Sequence, residues 1–161
     1  MKKSGMNTLN KILVVGCVGC GKSTYAKKLS KKLKIPVYGI DEIVHDDVKG
    51  IRRSLDEQKE LIKQVDKNDK WIIEGALREE LYFLLDMADQ IIMIDLDREV
   101  VEHRIITRYI KQQRGIEKIN YEVDSNFLEM MLGYVNKYYE TRDDIFKMLE
   151  KYKDKLIIKK D

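Results

Sequence analysis

Nine consecutive residues, Gly16-Cys17-Val18-Gly19-Cys20-Gly21-Lys22-Ser23-Thr24, have the types and spacing to hold phosphate. Gly16, Gly21, Lys22 and Ser23 fill the pattern G-x-x-x-x-G-K-[ST] of a Walker A loop, or P-loop. Small residues in series let successive backbone N–H groups turn inward and line a nest for phosphate oxygens. Glycine reaches the backbone angles such a nest needs with no side chain in the way. Lys22 is then placed to reach the β- and γ-phosphates of ATP, and the Ser23 hydroxyl to hold Mg2+. A helix starting near Lys22 brings its positive N-terminal end to the same place.

Such a loop works only between a strand and a helix, and the flanks read that way. Ile12-Leu13-Val14-Val15 is a short apolar, β-branched run, the pattern of a buried parallel strand. Ala26, Leu29 and Leu33 follow at helical spacing, with Lys27, Lys28, Lys31 and Lys32 on other faces. Pro36 ends that helix, and residues 36–40 read as a second strand that delivers Asp41 and Glu42 to its C-terminal end. In an open α/β sheet that edge binds ligands. Ser54-x-x-Glu57 is a capping-box signature opening a helix with Leu55, Leu61, Ile62 and Val65 as its apolar stripe. Trp71 to Gly75 reads as a third strand, and Leu77, Leu81, Leu84 and Leu85 as a helix. Gln90 to Asp95 reads as a fourth strand, and a long helix follows from near Asp97. Helical spacing returns from Tyr121, with Thr141 as the expected cap of a last helix and Leu156-Ile157-Ile158 as the final strand. Strands and helices alternating on this scale predict an α/β fold with a five-stranded parallel sheet covered on both faces. No linker or repeat divides the 161 residues, so one domain is expected.

Composition narrows the partners. The net charge is +3, from 31 basic and 28 acidic side chains, a mixed-sign surface without the footprint of a duplex-DNA binder. No apolar run has the length of a membrane span, and Lys2 and Lys3 precede no leader-like core, so a cytoplasmic location is expected. The cluster His45, Asp46 and Asp47 reads as a solvated polar segment, with metal binding as the alternative. Arg52 and Arg53 are either exposed or aimed at a phosphate. Cys17 and Cys20, a C-x-x-C inside the loop, lack the further ligands a zinc site needs. They read as small residues the loop tolerates. The other reading is a redox-sensitive loop, because thiols at a helix N-terminus tend to have lowered pKa values.

A P-loop names a ligand class and not a reaction. There is no N-K-x-D or T-K-x-D stretch to read guanine, and the chain is short for a ring ATPase. A compact domain with a basic segment late in the chain fits a small kinase that closes a lid over its nucleotide. Residues 108–120, with Lys111, Arg114, Gly115 and Lys118, are that lid segment. Arg104 and Arg108, four residues apart, share one helix face. Asp95, preceded by four apolar residues, is one candidate for the acid beside magnesium.

The stretches G-C-V-G-C-G-K-S-T-Y-A-K-K-L, I-P-V-Y-G-I-D, W-I-I-E-G and A-D-Q-I-I-M-I-D-L-D-R resemble the adenylate kinase-related group of topology modulation proteins. More broadly they resemble the nucleoside monophosphate kinase superfamily, with shikimate and gluconate kinases as cousins. The resemblance implies a three-layer α/β/α fold with sheet order 2-3-1-4-5 and a lid after the fourth strand. It also implies catalytic roles for Lys22, Arg104 and Arg108, with Arg104 stacking on adenine and Arg108 meeting the phosphates. Glu74-Gly75-Ala76-Leu77-Arg78 matches, with departures at its first and middle positions, a motif whose acid stands near magnesium and whose arginine grips the acceptor. Asp41 matches an acid placed near substrate or magnesium. The metal set is then Ser23, Asp41 and Glu74, partly through water, and the acceptor set Asp41 and Arg78. ATP-dependent transfer to a nucleotide-type acceptor by a monomer or weak dimer is the expected activity. The alternatives are an ATP-binding regulatory protein with little transfer and a kinase for a small hydroxyl-bearing metabolite, for which Asp41 could serve as base.

Overall fold

The computed structural model describes residues 8–119 and 121–161. Lys2, Lys3 and Asn120 lie outside them. The central sheet is built from β1 (Lys11–Gly16), β2 (Val37–Gly39), β5 (Trp71–Gly75), β6 (Gln90–Ile94) and β7 (Leu156–Lys159), all parallel. Its order is β2-β5-β1-β6-β7. Among the sheet's own strands, counted along the chain, that is 2-3-1-4-5. A short antiparallel pair, β3 (His45–Asp46) and β4 (Ile51–Arg52), intervenes along the chain without joining the sheet. No sequence pattern announced this pair.

Alternation along the strands sorts the core into two layers. Leu13, Val15, Trp71, Ile73, Ile91 and Met93 face one side, where α2 (Ile40–Val44), α3 (Leu55–Asp66) and α4 (Phe83–Met87) pack. Ile12, Val14, Ile72, Ile92 and Ile94 face the other, under α1 (Lys22–Leu33), α5 (Arg98–Gln113) and α6 (Ser125–Leu149). Strands buried on both faces are what the continuous apolar runs required. The register then aligns the strand ends: Val14 stands beside Glu74, Val15 beside Gly75 and Gly16 beside Ile94. The loop after β1 therefore emerges next to the end of β5.

Several local expectations change. Ile40 leaves the second strand and opens α2, its side chain seated against Gly75, where an added β-carbon would lie 2.6 Å from Ile40 Cβ. Leu77 lies outside any helix, and the remaining leucines divide between a 3-10 turn at Glu79–Leu81 and α4. Thr141 caps nothing. Its hydroxyl donates 2.9 Å back to the Lys137 carbonyl inside the unbroken 25-residue α6, whose cap is Asp124, accepting from Phe127 N–H at 3.0 Å. A threonine that bonds the preceding turn continues a helix and does not start one. Ser54 and Glu57 do form the reciprocal capping box of α3.

Asp95 also takes a role its position hid. It is 5% exposed, its backbone N–H continues the ladder to Lys159, and its carboxylate accepts a two-point bond from Arg142 of α6 and a 3.4 Å bond from Tyr138. Burial, and then the Asp95 charge, push the Tyr138 phenol up, so it stays a donor. Asp95 ties α6 to the sheet edge. Arg142→Ala would leave this buried carboxylate only Tyr138 and, at 3.9 Å, Lys160, and we expect a loss of about 3 kcal/mol in urea unfolding. Ion pairs with a well-exposed partner, such as Lys11–Asp69 removed at the exposed Asp69, should cost under about 1 kcal/mol in the same measurement.

Candidate active site

The N-terminus of α1 is open. Gly21 caps it in the left-handed region (φ 97°), no side chain bonds the first-turn N–H groups, and that turn carries no acid. Orphan donors and the positive end of a 12-residue helix are the features that attract an anion. The loop before it is packed from both sides. A β-carbon at Gly16 would fall 2.6 Å from the Ile94 carbonyl, and one at Gly19 (φ 75°) 2.7 Å from Ile105 of α5. Neighbours on both sides thus leave no room for a side chain at Gly16 or Gly19.

A cavity of about 460 Å³ opens over this loop. Val18, Gly19, Gly21, Lys22, Ser23 and Thr24 line its floor, while Gly16, Cys17 and Cys20 lie buried beneath. Asp41, Glu42 and Glu74 form one wall, and Arg104, Ile105, Arg108, Tyr109 and Gln112 of α5 the other. Each sequence-derived cation rests on an acceptor within the chain. Lys22 Nζ donates to the Cys17 carbonyl at 2.8 Å and Arg104 to the Cys20 carbonyl at 3.1 Å. Arg108 pairs with Glu117 at 2.8 Å, and Arg78 with Asp41 at 2.8 Å. Arg104 thus sits over the phosphate loop, and Arg78 is held at the rim by Asp41. Ser23 Oγ donates to Glu74 Oε1 at 2.9 Å, bringing together two of the proposed magnesium-side groups.

The remaining candidates fall away from the cavity. Arg53 bonds the carbonyls of Glu42, Ile43 and His45 and pairs with Asp46, closing the end of α2, while Arg52 pairs with Glu80. No group of three or more His, Cys, Asp or Glu residues is poised for a metal among the described residues, which removes His45, Asp46 and Asp47 as a metal cluster. The expected lid divides: Arg108 to Gln113 are the last turns of α5, anchored by Gln112 at 8% exposure. The chain then turns at Gly115 (φ 68°).

Sequence reading missed an apolar wall. Tyr121, and Phe127, Leu128 and Met131 of α6, close the cavity, with Tyr121 and Phe127 rings 5.5 Å apart. Their spacing signals a helix, but nothing local says that it crosses back over the phosphate loop. Glu42 was also unassigned, since an acid next to Asp41 carries no signal of its own.

No family model matches the chain. Among curated proteins it is similar to an adenylate kinase of Encephalitozoon cuniculi (strain GB-M1), 26% identical over 117 residues, covering 62% of this chain and 66% of that protein. The match thus spans just under two thirds of the relative's length. Among solved structures it is similar to a provisionally assigned fructose transport system kinase from Silicibacter sp. TM1040, at TM-score 0.50 and 15% identity over 68% of this chain and 76% of that one. The chain has the fold of that kinase. A shikimate kinase from Bacteroides thetaiotaomicron aligns at TM-score 0.47 and 17% identity, over 82% of this chain and 81% of that one. No described helix is long and apolar enough to cross a membrane.

The redox reading of the loop is overturned. Cys17 and Cys20 are 2% and 3% exposed, and burial pushes the Cys17 thiol up to about 12 and raises that of Cys20 despite Lys22 nearby. Desolvation of the thiolate outweighs the helix end. At pH 8 the Cys17 thiolate is therefore about one part in ten thousand. We expect iodoacetamide to leave both cysteines unlabelled in the native protein and to label both in guanidinium, as read by intact mass.

Proposed function

We propose that the chain is an ATP-dependent phosphotransferase that moves the γ-phosphoryl group of ATP to a small-molecule acceptor. One observation carries the reading: an uncapped helix N-terminus, with Lys22 beside it, opens into a cavity whose far wall brings in two arginines. Weak similarity to an adenylate kinase and the shared fold of a kinase support it. The stretches quoted from the sequence favour the topology modulation group within that superfamily.

In this proposal Gly16 to Thr24 hold the ATP phosphates through backbone N–H groups, and Lys22 leaves the Cys17 carbonyl to reach the β- and γ-oxygens. The Ser23 hydroxyl and the Glu74 carboxylate, already 2.9 Å apart, are hard oxygen donors of the kind Mg2+ takes, with Asp41 on the same wall through water. Bound there, the ion would neutralise charge on the phosphates. Arg104 and Arg108 exchange their internal acceptors for ligand, Arg104 towards the adenine side and Arg108 towards the phosphates. Transfer of this kind needs alignment and charge stabilisation rather than covalent machinery. The acceptor enters beside Asp41, with Arg78 at its rim. A nucleotide-type acceptor is what the sequence resemblance implies; an alcohol is what the acidic wall favours.

Transfer of label from γ-labelled ATP to pooled metabolites tests the reading. Lys22→Ala should keep its circular dichroism and lose about a hundredfold or more in transfer. A folded Lys22→Ala protein with unchanged turnover would remove the loop from the mechanism. Tight ATP binding by the wild type with label on no acceptor would favour the regulatory, ATP-sensing reading.

The proposal includes a lid made of the end of α5 and the segment to Lys118, with Asn120 outside the described residues. Arg108 must release Glu117 before it can meet phosphate, and the turn between them, at Gly115, is exposed. Hydrogen exchange should slow in residues 108–119 and in the phosphate loop when a non-hydrolysable ATP analogue binds. Slowing in the loop alone would reject the lid.

A further inference from the structure

Away from its charged walls, the cavity over the loop has an apolar end that holds one amide. From α6 and the segment before it, the lining residues are all apolar or aromatic: Tyr121, Phe127, Leu128 and Met131. From α5 comes Gln112, which lines the same cavity although the residue is only 8% exposed. Its side chain forms no hydrogen bond among the described residues. Buried amides are nearly always paired. The next residue shows the usual solution, since Gln113 donates to the Val123 carbonyl. Neither amide atom of Gln112 is fully enclosed without a partner, so both open onto the space that the residue borders.

Resting on the reading of the loop as the ATP site, we infer that this end of the cavity is a ring subsite. It holds a planar heteroaromatic ring against Tyr121 and Phe127, with the Gln112 amide paired to the ring's edge. An aliphatic chain would suit the apolar residues but leave the amide without a partner in a dry site. A polyol would pair the amide but press its hydroxyls against Phe127, Leu128 and Met131. A heteroaromatic ring meets both demands. Its faces pack on aromatic side chains, and its edge can set a donor beside an acceptor, which a glutamine amide binds at two points.

The position suits a ring tethered to the phosphate loop. Arg104 is held at that loop by the Cys20 carbonyl, and Gln112 follows it on α5 by roughly two turns, about 12 Å along the axis. A ring joined to phosphates through a sugar or a similar linker bridges such a gap, whereas phosphate alone does not. Two molecules could bring that ring, ATP through its adenine or the acceptor through a ring of its own. The chemistry asked of Gln112, Tyr121 and Phe127 is the same for both.

Two variants test the subsite. Gln112→Met keeps the length of the side chain and removes its amide, and Tyr121→Ala removes a ring that is 52% exposed, so both should fold. Because the amide has no partner within the chain, Gln112→Met should unfold at the same or higher urea than the wild type, which a structural role would reverse. Calorimetry then compares ATP with inorganic tripolyphosphate, each with Mg2+. If the ring is the adenine of ATP, both variants weaken ATP by about fivefold or more and leave tripolyphosphate unchanged. If the acceptor brings the ring, ATP binding holds. With the non-hydrolysable analogue and Mg2+ bound, ligand-observed NMR then shows free adenine, cytosine or nicotinamide on the wild type, weakened about fivefold or more in both variants. Either pattern supports the inference. An effect in neither variant or in only one overturns it, as does a Gln112→Met protein that loses stability. A wild type that binds neither ATP nor tripolyphosphate removes the loop reading itself, a separate failure seen before any variant is compared.

Discussion

Unpaired backbone N–H groups at the start of α1 are the constraint on which the rest of this structure depends. A helix must begin with orphan donors, and a side-chain cap would ordinarily satisfy them. Here Gly21 leaves them free, and the segment before them is pressed between the Ile94 carbonyl and the Ile105 side chain. That packing holds a loop of small residues in one shape without a ligand. The two cysteines serve it as buried filler, which is why their thiols are protonated and out of solvent.

The open donors make the floor positive, and the rest of the cavity is built to tolerate that. Each nearby cation is held by a carbonyl or carboxylate of the chain itself: Lys22 by Cys17, Arg104 by Cys20, Arg108 by Glu117 and Arg78 by Asp41. Such contacts are partly exposed and individually weak, so a polyanion can displace them at small cost. Charges that must not move are treated differently. Buried Asp95 and half-buried Arg142 meet in a two-point bond that fixes α6 against the sheet edge, and α6 in turn closes the cavity with Phe127, Leu128 and Met131.

The walls of opposite sign follow from sheet topology. β2 and β5 lie on one side of β1 and β6 lies on the other, so whatever follows β2 and β5 faces whatever follows β6 across the loop. After β2 and β5 come Asp41, Glu42 and Glu74; after β6 comes the helix that carries Arg104 and Arg108. The acidic and basic sides of the cavity are therefore separated by strand order.

The glycine-rich loop, its strand and its helix were legible in the sequence because they are contiguous and each has a short-range signature: a β-branched run, a glycine spacing and a helical stripe. The capping box at Ser54 and Glu57, the start of α5 after Asp97 and the shared face of Arg104 and Arg108 were legible for the same reason. Tertiary structure decided what depends on partners far along the chain. Asp95 reads as a strand-end acid until Arg142, 47 residues later, claims it. Thr141 reads as a cap until its hydroxyl bonds the turn before it. Cys17 and Cys20 read as small tolerated residues or as activated thiols, and the core that closes over them decides for the first. The apolar wall of α6 and the convergence of Glu42 with Glu74 exist only once the crossover connections have brought distant segments to one edge of the sheet. Local pattern fixes what a segment can become, but desolvation and pairing are properties of neighbours, and neighbours are set by the fold.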